Sequence, residues 1–330
     1  MRRLYHIPIL LINMFISLFA SARIDESKRI PVGGQAVIEG VLMKGPKHWG
    51  LVVRRQDGTL WGKSWLESGW LNKGAWKIPI IRGFASMVEM MRIGFRALSI
   101  SAEQALGEEE NFTMLEMACT VAVAILMVGG LFVALPVWIS DRLALYASLS
   151  PVAKNIAEGI VRGSVFVAYV ALVGLWKDIR RVFAYHGAEH KTINAYENGI
   201  PLNITDVASC SRIHRRCGTS FIIIVVVVSI VVFSFFGQGP IWRKILARLL
   251  LLPLVIGISY ELIKAASRSE TWGKYLVMPA LLLQYLTTKE PDESMLEVAI
   301  KSLHIALDPQ TDISSGGEAK EEDDGTLEKA

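Results

Sequence analysis

The sequence predicts a mainly α-helical polytopic membrane protein, with about four transmembrane helices and a small amino-terminal unit that contains a β-hairpin. Three observations predict it. Of the 330 residues 52% are hydrophobic and 20% charged, with a mean hydropathy of +0.38, which is more apolar than an ordinary soluble enzyme. The apolar residues are bunched into long runs. Ahead of those runs lies a Gly-rich stretch in which two β-prone segments flank Asp57-Gly58, a pair favoured in tight hairpins.

In chain order, residues 1–27 place Arg2 and Arg3 before an apolar run from Ile7 to Ala20 that ends Ala20-Ser21-Ala22. That is the pattern of a secretory signal, and it also fits an uncleaved anchor or an extension outside the working protein. Residues 28–110 are expected to form a cytoplasmic unit of hairpin plus amphipathic helix. It opens with GGQAVIEGVLMKGP and GLVVRRQDGTLWG, where Glu39 reads as a paired structural carboxylate. Pro79 then starts a helical pattern in which Ile81, Phe84, Met87, Val88, Met91 and Phe95 recur at helical spacing, as in a helix that covers a core or lies on a membrane surface.

Residues 111–307 are expected to form a four-span membrane domain. Its apolar stretches are Met114 to Ile139, Ile156 to Trp176, Phe221 to Phe236 and Ile245 to Ile263. About 20 residues are needed to cross the hydrocarbon, so the third must borrow flanking residues. The second carries Glu158 and Arg162 one turn apart, and an ion pair inside a span is either a functional site or a buried structural pair. A shorter run from Tyr275 to Leu286 suits a re-entrant or core helix, and residues 291–307 an amphipathic helix. The tail, residues 308–330, is acidic and Gly-rich and is expected to be disordered.

Charge sets orientation. Lys and Arg are dense before the first span and between the second and third, whereas the stretch from Ser140 to Asn155 holds only Arg142 and Lys154. The positive-inside rule therefore puts both termini and the loop between spans two and three in the cytoplasm of a multi-pass inner-membrane protein. A working anchor with Arg2 and Arg3 inside would invert this, which favours reading the first segment as an extension. The net charge of +4 is spread without a basic block, so the partner implied is the lipid bilayer and no nucleic acid. Cys119, Cys210 and Cys217 make no disulfide framework, and two of them stand near histidines, which favours a reducing compartment or metal ligation.

The chemistry gathers in YHGAEHKTINAYE, residues 185–197, where His186, Glu189 and His190 spell H-x-x-E-H. On a helix the two imidazoles lie roughly 40° apart, one turn from each other, with Glu189 in the same sector. Two neutral nitrogen ligands and a carboxylate to take a proton from water are parts of a zinc hydrolase site. Gly187 costs roughly 1 kcal/mol of helix stability relative to Ala, tolerable where close packing or a bound ion needs a small residue. Further candidate ligands follow in SCSRIHRRCGTSF, where His214 and Cys217 precede the third span, and in SYELIK, where Glu261 ends the fourth. The Glu261 carboxylate could instead pair with Lys264. Four ligands, His186, His190, His214 and Cys217, would make a closed structural site, and a carboxylate or water in place of one would open it. Glu197 stands about 10 Å along the axis from His190, too far to share an ion, and reads as a support for a ligand or a solvated helix end.

The stretches VGGQAVIEGVLMKGP, IIRGF with ALSISA, KDIRRVFAYHGAEHKTINAYE, SRIHRRCGTSF, SYELIKAASR and LTTKEPDESMLEVAI together resemble the YqhQ family, bacterial membrane proteins labelled as predicted metal-dependent enzymes. The resemblance covers about Lys28 to Leu307, and Arg215 departs from it where the family more often has Pro. It implies that His186, Glu189, His190, Glu197, His214, Cys217 and Glu261 occupy motif positions, and it implies metal dependence without naming a reaction. The reading is an integral membrane hydrolase with a divalent metal, zinc first, at the cytoplasmic membrane surface. Glu189 is its general base, and its substrate is a membrane peptide or a lipid-linked molecule. The alternative is a non-catalytic assembly or transport factor with a structural metal site.

Overall fold

The computed structural model describes residues 32–67, 74–107, 114–214, 217–235, 240–266 and 272–309. The signal-like segment and all but the start of the acidic tail lie outside the described residues. Four antiparallel strands, β1 (Gly33–Val37), β2 (Gly40–Lys44), β3 (His48–Arg54) and β4 (Leu60–Leu66), follow one another in a meander. The expected hairpin is the β3–β4 pair, closed by Arg54 opposite Leu60, with Gly58 at φ 82° in the turn. Among the described residues ten α-helices follow: α1 (Pro79–Leu106), α2 (Met114–Gly129), α3 (Leu135–Ala147), α4 (Pro151–Val173), α5 (Lys177–Asn198), α6 (Ile204–Ala208), α7 (Gly218–Ser234), α8 (Ile241–Ala266), α9 (Trp272–Thr287) and α10 (Glu293–Leu307).

Strands β2 and β3 are buried on both faces, which is why their residues are apolar almost without alternation. Val37, Leu42, Trp49, Leu51 and Val53 pack against Ile93, Ala97 and Ala105 of α1. On the other face Val41, Met43 and Val52 share a core with Tyr185 and Ala188 of α5 and Leu296 and Leu303 of α10. The carboxyl-terminal helix thus closes the amino-terminal sheet, and the Ser302 hydroxyl sits 2.9 and 2.8 Å from the carbonyls of Val41 and Gly50.

Helix α1 forms where Pro79 predicts it, and of its apolar stripe Ile81, Val88, Met91 and Phe95 are exposed while Phe84 and Met87 are half-buried. Met91 is 64% and Phe95 62% exposed, whereas Ala85, Glu89, Ile93, Ala97, Ser101 and Ala105 form the buried face. Small residues let α1 approach the sheet and α8 closely, and the large ones are left for apolar surroundings.

The chain is a mainly α polytopic membrane protein. Among the described residues three helical segments are long and apolar enough to cross a membrane, Ala122–Ala147, Ala153–Val173 and Trp242–Ala266, with Phe221–Phe233 as a shorter apolar helix. Helix α7 has 17 residues and is about 25 Å long, short of the roughly 30 Å hydrocarbon, as its composition predicts. The first span runs further than the sequence predicts, through Ala147, because Asp141 is offset by Lys154 and by Lys244 at 2.9 Å. A π-helical turn, Gly130–Ala134, joins α2 to α3 within it. There the Phe132 carbonyl accepts a hydrogen bond from Arg162 Nε at 3.1 Å. Arg162 also donates to Glu158, and Arg248 of α8 adds a second guanidinium on that carboxylate, at 2.6 Å from Oε1. The predicted intramembrane pair is therefore a buried triad.

Candidate metal centre

Helix α5 leaves the end of the second span and stops at Gly199, whose positive φ of 77° lets its amide cap the last turn. Its centre is buried from Gly187 through Ile193 although the run GAEHKT is polar. Three segments pack over it: strand β1, the loop 211–214 and the segment following α9. The last lies so close that a Cβ on Gly187 would fall 2.0 Å from the Lys289 carbonyl oxygen. The glycine inside the H-x-x-E-H motif is thus a packing requirement of this crossing. Lys289 N–H donates to the Phe183 carbonyl at 2.8 Å and holds the segment in place.

The crossing orients both imidazoles. His186 Nδ1 lies 2.9 Å from the Thr287 carbonyl and His190 Nδ1 2.6 Å from the Arg212 carbonyl. A carbonyl only accepts, so each Nδ1 carries a proton, which leaves Nε2 as the ring atom that can ligate a metal. The rings are 4.4 Å apart between centroids. Cys217 Sγ lies 3.4 Å from His186 Nε2, and His186, His190 and Cys217 form the group of candidate ligands, among the described residues, whose ligand atoms all lie within 4.8 Å of one another. His190 Nε2 is buried without a hydrogen-bond partner. Burial pushes the His190 imidazolium below its ordinary range, with Cys217 opposing, so the ring is neutral as a ligand must be. Two imidazoles and a cysteine sulfur, with an orphaned buried nitrogen among them, are a donor set suited to zinc.

Glu189 is 4% exposed, and its Oε2 is buried without a hydrogen-bond partner, 3.8 Å from His186 Nε2. Burial holds its carboxyl above the ordinary carboxylate range, opposed by His186 and His214. Gly34 of β1 lies against it, and a Cβ there would fall 2.9 Å from Glu189 Cγ and from Oε1. The sheet therefore forms one wall of the centre.

The remaining motif residues are placed differently. His214 Nε2 is 3.2 Å from Glu197 Oε2, and its backbone N–H and carbonyl are both held by the Gln284 side chain, at 2.9 and 2.8 Å. Its ring centroid is 5.8 Å from that of His190, next to the group and outside it. Glu197 is the partner of His214. Glu261 is not part of that group: Arg82 of α1 donates to both of its oxygens, at 2.7 and 2.6 Å. Glu39 is a paired carboxylate, held by Arg181 and accepting from Tyr185 Oη at 3.1 Å. Sequence reasoning missed Gln284, Asn194 and Gly34. Asn194, which donates to the carbonyls of Ser211 and Ile213 at 2.6 and 3.0 Å, is four residues beyond His190 on the same stripe. Gln284 is a lone amide in an apolar run, itself a signal.

Comparison with known proteins places residues 78–309 in a match to the family described as "Protein of unknown function (DUF1385)". The chain is 33% identical over 292 residues to the uncharacterized protein YqhQ of Bacillus subtilis (strain 168), covering 83% of this chain and 92% of that protein. No solved structure matches.

Proposed function

This chain belongs to the YqhQ family, whose function is unknown, and from its geometry we propose that it is a metal-dependent hydrolase of the membrane surface. His186, His190 and Cys217 would hold a divalent cation, zinc by the donor set, with Glu189 as general base. The observation that carries this reading is the pair of imidazoles turned by the Thr287 and Arg212 carbonyls so that both Nε2 lone pairs join the Cys217 sulfur. With His214 engaged by Glu197, three protein ligands remain, the number characteristic of catalytic zinc. Carbonyls behind ligating histidines fix tautomer and ring orientation.

When bound, the cation supplies Lewis acidity, which polarises the electrophile and brings the pKa of a water to about 7. The rest is the work of the chain. Cys217 would hold the cation as a thiolate and the two histidines through their Nε2 atoms. Glu189, aimed inward with Oε2 open, takes a proton from the attacking water and returns it to the leaving group. The Gly34 wall excludes solvent from its other side. The substrate is a membrane peptide or a lipid-linked molecule, presented from the cytoplasmic face of the inner membrane, with both termini on that side by the Lys and Arg asymmetry.

One observation favours a second reading, the structural site of an assembly or transport factor. The His214 ring is 5.8 Å from His190 and would complete a four-ligand set on leaving Glu197. X-ray absorption on the zinc-loaded purified protein separates the two. Two nitrogens, one sulfur and an oxygen are expected; three nitrogens and a sulfur with no oxygen would make the site structural.

A further inference from the structure

Beside the His and Cys group lies an open cleft of about 520 Å³ lined by Lys177, Arg180, Arg181, Arg212, Lys289 and Glu290 among others. We propose that this cleft binds the phosphate of a membrane lipid, which would make a lipid-linked phosphate the substrate class of the neighbouring centre; that second step rests on the hydrolase reading above.

The charge balance is the first support. Arg181 is matched by Glu39, and Glu290 is taken by Lys191 at 2.5 Å. Lys177, Arg180 and Lys289 have no carboxylate partner among the described residues. Arg212 donates from Nη1 to the Thr288 carbonyl at 2.5 Å and stands 3.8 Å from Glu290 and 5.6 Å from the Tyr285 ring. A cleft with this surplus of cations selects an anion, and Arg with Lys is a pairing suited to phosphate.

The second support is position. The span Ala153–Val173 ends four residues before Lys177, and between them Leu175 is 76% and Trp176 67% exposed. An exposed Trp at the end of a span followed by basic residues marks headgroup level. Tyr285, 55% exposed, brings a second aromatic to the same rim. A soluble anion would need no such apolar border.

The third support is the shared wall. Arg212 lines the cleft with its side chain while its carbonyl orients His190, and Lys289 lines it while its carbonyl abuts Gly187. A phosphate held there is separated from the candidate centre by the peptide units that build it.

The test uses the full-length protein in neutral detergent, titrated calorimetrically with dioctanoyl phosphatidic acid, dioctanoyl phosphatidylcholine and glycerol phosphate. Phosphatidic acid is expected to bind most tightly. A Lys177→Gln, Arg180→Gln, Lys289→Gln triple variant should weaken it roughly a hundredfold, at about fivefold per basic residue, and Arg180→Gln alone about fivefold. Metal-stripped wild-type protein should bind the lipid as the loaded protein does, so the result stands whether or not the metal reading survives. Unchanged binding by the triple variant, or equal binding of phosphatidylcholine, overturns the proposal. Glycerol phosphate bound as tightly as the lipid would make the ligand a free phosphate and overturn the lipid source. Binding lost on chelation with the cleft intact would put the phosphate on the metal and overturn the cleft.

Discussion

Gly34 of the first strand lies against Glu189 of the central helix so closely that a Cβ at position 34 would fall 2.9 Å from the Glu189 side chain and 2.8 Å from the Leu42 carbonyl. Backbone on one side and a buried carboxyl on the other leave a methyl group no room. Gly34→Ala should therefore cost about 1 to 3 kcal/mol. It should also shift Glu189, lowering turnover more than metal content. A melting curve with metal analysis checks this, and unchanged stability and turnover would mean that the sheet does not wall the centre.

Metal retention assigns roles within the motif. His186→Ala, His190→Ala and Cys217→Ala should each strip zinc from the purified protein, because each removes one of the three candidate ligands. Glu189→Gln should keep zinc while abolishing hydrolysis. Glu261→Gln should also keep it, since Arg82 already holds that carboxylate, and should loosen the α1 to α8 contact instead. Mass spectrometric metal analysis decides; zinc lost from Glu189→Gln would make Glu189 a ligand.

What was legible in the sequence follows from periodicity and from local chemistry. The apolar runs, the Asp57-Gly58 turn, the Pro79 helix start and the H-x-x-E-H spacing are properties of adjacent residues, and each has its counterpart in the structure. What could not be read depends on contacts distant in the chain. The partner that Glu261 meets, Arg82, stands 179 residues away, beyond any local pattern. The Met91 and Phe95 stripe fitted a core and a membrane surface equally, because helical spacing does not say which apolar face meets protein. The backbone carbonyls of Thr287 and Arg212, which orient both histidines, leave no trace in residue identity at all.

Acid should loosen the docking of α10 on the sheet. Hydrogen bonds from Lys301 and from Arg54, the latter also paired to it at 2.8 Å, hold the Glu297 carboxyl below its ordinary range. A carboxyl depressed in the folded state contributes stability that is present above its unfolded pKa and lost as pH falls through the folded value. Fluorescence of Trp49, 2% exposed in the sheet core, should therefore report loosening at a pH below the ordinary carboxylate range. Glu297→Gln should flatten that acid limb. An unchanged limb would mean that this pair does not secure the helix.

Orientation follows from which end of the bundle is basic. In protein lacking Cys119 and Cys210, Thr205→Cys, exposed on α6, should react with an impermeant maleimide only after the cytoplasmic side is opened. Ser148→Cys, exposed in the turn between α3 and α4, should react from outside intact cells. The reverse pattern would invert the proposed topology and move the centre out of the cytoplasm.

Inside the membrane bundle the decisive residue is Glu158, 3% exposed, which is shared by Arg162 and Arg248. One carboxylate faces two guanidiniums. The excess charge is spread over the Phe132 carbonyl freed at the π-helical turn, the Ser229 hydroxyl at 2.8 Å and the Phe233 ring, 5.3 and 5.1 Å from the two guanidinium carbons. Each of those is a weaker partner than a carboxylate. Glu158→Gln removes the counter-charge and leaves two buried cations facing each other, and breaking a buried pair in this way costs about 3 to 5 kcal/mol. Replacing Glu158 and Arg248 together, by Gln and Met, removes one charge of each sign and should cost much less than Glu158→Gln alone. Thermal unfolding in detergent, followed by size-exclusion recovery, compares the two variants. If the single change is the milder one, the triad does not hold the bundle together and its charges serve another purpose.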